Sequence, residues 1–125
     1  NRTTFLKIKI MREILFKAKR LDNNEWVYGS LLQEMYNCYI SKKIDQTRES
    51  ITQICVDKET IGQFTGLTDK NGVKIFENDK IKYNNWIGVV KYSTGAFYIC
   101  YGDGTESEFN EMSESDLEII GNIHE

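Results

Sequence analysis

Apolar and polar residues alternate along much of this chain. In EILFKAKRL (residues 13–21), Ile14, Phe16 and Ala18 fall on one side while Lys17 and Lys19 fall on the other, which is the period of two expected of a strand. Asp22-Asn23-Asn24 follows and predicts a turn, because Asn and Asp tolerate positive φ and hydrogen-bond their own backbone. EWVYGSLL then returns as the second arm of a hairpin. YNCYISKKI reads as a strand, DQTRES as an exposed loop and ITQICV as another strand, and DKETIG reads as one helical turn ended by Gly62.

The second half is denser in turn signals. Asp69-Lys70-Asn71-Gly72 contains the Asn-Gly pair typical of a type I′ two-residue hairpin. KIKYN and WIGVVKYS pair across Asn84-Asn85, and STGAF turns into AFYICYG. Asp103-Gly104 turns into TESEFNEM, and SESDLEIIGNI gives a short turn and a last strand. Five short strands at a spacing of about eight to ten residues predict a small closed or partly open barrel, SH3-like, over about residues 75–123. The expected fold is mainly β, with an N-terminal β-hairpin or sheet layer (residues 11–66) followed by a C-terminal SH3-like barrel (67–125). Residues 1–10 read either as sequence preceding the natural start at Met11 or as an extra edge strand.

Composition supports strands: proline is absent, and β-branched and aromatic residues dominate the apolar set. At 125 residues the chain fits one modest core, and no apolar run approaches the roughly 18 residues of a membrane-spanning helix. The expected setting is the cytoplasm, with no membrane contact. Cys38, Cys55 and Cys100 are widely spaced and read as buried thiols rather than a disulfide framework or a metal pair. A single histidine, His124, leaves no second imidazole for a hydrolase triad and argues against most zinc sites. Charge is uneven: residues 1–43 carry nine Lys/Arg against four Asp/Glu, and residues 103–125 carry eight acids and no base. The acidic total works against unspecific binding to phosphate backbones, and the asymmetry offers pairing between the two ends, within or between copies.

QFTGLTDKNGVKIFENDKIKY, residues 63–83, holds the densest set of candidate chemistry. An EF-hand register with Gly72 in sixth place puts Leu67 first and Asn78 twelfth, where an acid and a bidentate Glu are needed. Gly66 and Gly72 do not form a P-loop, because Val73-Lys74-Ile75 reads as strand rather than as the Gly-Lys-Ser/Thr start of a helix. Glu77 and Asp79 on one strand would lie about 7 Å apart on one face, within reach of acid/base or metal work. The structural alternative makes Asp79 an acceptor of backbone N–H groups at a strand start, with Asn78 in the turn at positive φ. The turn motif is thus Gly66, Asp69, Asn71, Gly72, Glu77, Asn78 and Asp79, with no catalytic or metal-binding residue and no cofactor assigned. Lys80, Lys82, Tyr83, Trp86, Lys91 and Tyr98 form a candidate interaction surface able to grip peptides or stack bases.

QFTGLTDKNGVKIFENDKI closely resembles the signature of the YopX-like family of phage and prophage proteins, Gln-Tyr/Phe-Thr-Gly-Leu-x-Asp-x-Asn-Gly-x-x-Ile-Tyr/Phe-Glu-Gly-Asp-x-Ile/Val. REILFKAKRLDNNEWVYGSL, VDKETIGQFTGL and GVVKYSTGAFYI…LEIIGNIHE are similar to its opening, middle and end, so the resemblance covers residue 12 to about 125. One departure is Asn78, where the pattern has Gly; Asn is the next most tolerant residue at positive φ. The resemblance implies a small, mostly β, phage-associated protein that self-associates, and it brings no catalytic residue to carry over. The expected function is non-enzymatic contact with a phage or host protein or with a second copy. A nucleic-acid-binding accessory role for the aromatics and lysines is the alternative.

Overall fold

The computed structural model describes residues 13–43, 51–109 and 112–125, and over these every strand pairing is antiparallel and there is no α-helix. The readings for residues 1–10 and for the loop at 45–50 lie outside the described residues.

β1 (Phe16–Lys19) and β2 (Trp26–Gln33) form the first hairpin, and β3 (Cys38–Lys43) and β4 (Ile51–Val56) extend the meander. β5 (Gly62–Thr68) then returns to the other side of β1 and carries β6 (Lys74–Phe76) on its far edge. The result is a six-stranded sheet in the order β4-β3-β2-β1-β5-β6. It curls, because Asp57 N–H donates to the Lys19 carbonyl, Leu21 N–H to the Cys55 carbonyl, and Arg20 bridges Val56. Ala18, Val27, Cys38, Ile40 and Val56 are thereby enclosed as one core.

The remaining strands are β7 (Asp79–Tyr83), β8 (Trp86–Ser93), β9 (Ala96–Tyr101), β10 (Glu106–Glu108) and β11 (Leu117–Asn122), in the order β10-β9-β8-β7-β11. Alternation decides what they bury. Ile81, Val90, Phe97, Ile99 and Leu117 point inward with Ile75 and Phe109, while Lys80, Lys82 and Lys91 stay exposed.

Three expectations change here. The barrel does not close among the described residues: β10 is only three residues long, and β10 and β11 remain the two edges of the sheet. The flank of β11 is met instead by the Asp69–Lys70 turn, since Asp69 accepts Ile119 N–H and Lys70 N–H donates to the Leu117 carbonyl. The Asn71-Gly72 corner is not a type I′ turn, because only Gly72 has positive φ and the loop is closed by Asp69 N–H to the Val73 carbonyl. Both central residues are at positive φ instead in Thr94-Gly95, between the paired Ser93 and Ala96. Gly62 does not cap the 3₁₀ turn Lys58–Thr60, which ends at Ile61. It lies in β5, where an added Cβ would meet the Glu77 carbonyl oxygen at 2.5 Å.

Candidate functional site

The two sheets meet at a buried ion pair. β1 keeps its period of two, so Lys17 and Lys19 share a face with their cross-strand partners Tyr28 and Trp26. Lys17, however, is only 8% exposed, because Asp79 of the second sheet and the Trp26 and Phe76 rings of its own enclose it. Its Nζ donates to Asp79 Oδ1 at 2.7 Å and sits 4.7 Å from the Trp26 ring centroid and 5.0 Å from that of Phe76. The rings add a cation–π attraction to the charge pair.

Asp79 is 1% exposed, and both of its oxygens accept hydrogen bonds. Oδ1 also accepts the Asn122 amide at 2.9 Å, and Oδ2 accepts Phe76 N–H at 2.8 Å across the Glu77-Asn78 turn. Asn122 Oδ1 in turn accepts His124 N–H. One carboxylate therefore joins β1, the β6–β7 turn and β11. Such a network is costly to break on one side only, because a charge is then left buried and unpaired.

The other residues of the turn motif are also fastened. Asp69, 4% exposed, accepts Asn71 and Val73 N–H on Oδ1 and Ile119 N–H on Oδ2. Burial alone would push its carboxyl upward, but those three N–H groups and nearby Lys70 outweigh it and hold it below the ordinary value. Gly66 takes φ 90° at the register shift in β5, and Asn78 takes φ 75°. The Asn78 amide donates to the Ile61 carbonyl and accepts from Lys91. Glu77 sits in the turn rather than on β7, so the two-apart strand geometry expected for Glu77 and Asp79 does not arise. No group of three or more His, Cys, Asp or Glu gathers among the described residues.

The candidate interaction surface divides between two faces. Across β7, β8 and β9 the pairs Lys80–Val89, Lys82–Ile87 and Lys91–Tyr98 lie on the outer face, with Glu118 beside Lys82 and Glu108 beside Tyr98. Tyr83 packs on the core and pairs with Trp86, whose ring lies 6.0 Å from Tyr101. Trp86 and Tyr98 thus belong to opposite faces, and the lysines are interleaved with glutamates.

Beside the ion pair lies a cleft of about 370 Å³ lined by Leu15, Lys17, Tyr28, Phe76, Ile119 and Glu125 among others. Tyr28 is held above the usual phenol range by burial and by the Asp79 charge, so its hydroxyl stays protonated. Lys17, Tyr28 and Asn122 were not singled out in the sequence. The signal for Lys17 was a lysine inside an apolar run, and for Asn122 an amide two residues from the only histidine.

Among the described residues no helix is long and apolar enough to cross a membrane. No curated protein matches the chain. The family model for YopX protein matches residues 15–125, from just before β1 through β11 and including the whole Lys17–Asp79–Asn122 network, and the chain belongs to that family.

Proposed function

We propose that this YopX family protein works by contact, as a non-enzymatic module that binds a protein partner, a second copy of itself included. The observation that carries the reading is the tip of the β2–β3 hairpin, where Met35 and Tyr36 are 86% and 83% exposed. Two large apolar side chains held in water at a hairpin tip are poised to enter a partner's surface, and aromatic and Met side chains are favoured in such cores. The Asp69, Asn78 and Asp79 side chains of the signature stretch, by contrast, are occupied in fastening turns and strands together.

The strand order β11-β7-β8-β9-β10, with a 3₁₀ turn before the last strand, supports reading the C-terminal sheet as an open SH3-like scaffold. The acidic C-terminal segment and the basic N-terminal one would steer association between copies. The phage association implied by the resemblance and the cytoplasmic setting expected from the apolar pattern are part of the same reading. The nucleic-acid alternative gains nothing from lysines alternating with glutamates and aromatics on opposite faces.

Sedimentation velocity at several concentrations, in low and high salt, tests this reading. Assembly is expected at low salt, weakening as salt rises and disappearing when Met35→Ser and Tyr36→Ser are combined. A monomer under every condition would overturn it.

A further inference from the structure

We propose that the cleft between the two sheets is a binding site for a small organic carboxylate with an apolar body. This goes beyond the contact role above and uses none of the hairpin-tip residues.

The cleft's size fits the chemistry. About 370 Å³ is near the lower end of small-ligand pockets, and the junction between two packed layers is where such pockets form. Leu15, Phe76 and Ile119 supply apolar wall, and the Tyr28 ring lies 5.6 Å from that of Phe76.

The polar groups facing the space are mostly donors. Lys17 is nine-tenths buried and spends one of its three N–H groups on Asp79, so donor capacity remains beside the cavity. The Tyr28 hydroxyl stays protonated and can donate. Lys74 adds a second ammonium at the rim, held only at 3.3 Å by Glu13. Asp79 also lines the cleft, but its charge is paired with Lys17 and three donors take up most of its acceptor capacity. Two acids line the space: Asp79, whose charge Lys17 offsets, and Glu125, whose charge a bound carboxylate must avoid. Donors converging on an apolar hollow, with the buried carboxylate already paired, select an acceptor-headed apolar molecule over a cation.

The test uses the full chain labelled with nitrogen-15 and three phenyl-bearing probes that differ in their polar head: phenylacetate, phenylacetamide and 2-phenylethylamine. Phenylacetate is expected to give saturable amide shifts at Leu15, Phe76 and Gly121, with the amide and the amine about tenfold weaker, as befits loss of a charge-assisted hydrogen bond. Glu125→Gln should tighten phenylacetate by roughly twofold or more as a like charge is removed. Tyr28→Phe should weaken it roughly threefold without moving the unfolding midpoint, since Tyr28 is half exposed. Equal or tighter binding of the amine, weaker binding in Glu125→Gln, or no saturable shift at these residues would overturn the site. None of these outcomes bears on self-association, so the two readings fail separately.

Discussion

Lys17 and Asp79, sixty-two residues apart in sequence, share a 2.7 Å ion pair that is almost fully shielded from water. Removing one partner leaves the other charge buried, so Lys17→Met and Asp79→Asn should each cost about 3–5 kcal/mol in urea unfolding. The double variant should lose less than the sum of the two. Asn122→Ala, which removes one neutral donor, should cost only about 1–3 kcal/mol. Strictly additive losses would show that the pair is not energetically coupled.

Thr94 occupies φ 50° in the β8–β9 turn, a conformation that a β-branched residue adopts only under strain. Thr94→Asn should therefore stabilise the protein, by on the order of 0.5–1 kcal/mol. A melting temperature raised by about 2–5 °C is the expected reading in a thermal scan.

Gly62 and Gly72 make a contrasting pair. At Gly62 a new methyl would press on the Glu77 carbonyl oxygen, a backbone atom that cannot swing away, so Gly62→Ala should cost about 1–3 kcal/mol. Nothing crowds Gly72, but its φ of 78° disfavours any side chain, and Gly72→Ala should cost about 1 kcal/mol. Gly72→Asn, better tolerated at positive φ, should recover part of that loss, whereas no substitution at Gly62 should be neutral.

Asp69 sets an acid limit. Its folded-state acidity is depressed relative to the unfolded chain, so its stabilising contribution is complete above the usual carboxylate value of about 4 and drains away as pH falls through the lower folded value. The difference in unfolding free energy between the native protein and Asp69→Asn should be widest near neutrality and shrink below about pH 4. A difference that stays constant with pH would mean that shape at this corner matters and ionisation does not.

Strand positions were legible in the sequence because alternation and Asn/Gly corners act locally. Ile81, Val90, Phe97 and Ile99 went inward as their spacing required. Lys17 was not legible: a period of two says which side of a strand a residue occupies, but whether a carboxylate meets it there depends on a contact sixty-two positions away. The turn types failed for a related reason. Asn71-Gly72 looked like the stronger type I′ signal, yet Asp69 closes that loop one residue wider through its side chain and backbone, and the geometry falls to Thr94-Gly95. The interaction surface divided because Trp86 and Tyr98, both exposed-looking aromatics, have opposite parity in the paired register.

Because β7 lies between β8 and β11, its first neighbour follows at once while its second is the last strand of the chain. The Asn122 amide that completes the Asp79 cluster arrives with that strand, forty-three residues after the carboxylate it serves. Long loops must therefore close before the second sheet gains its full complement of bonds, which places folding in the slow, millisecond-to-second regime of all-β chains. The seam between the layers is complete only when β11 has docked beside β7.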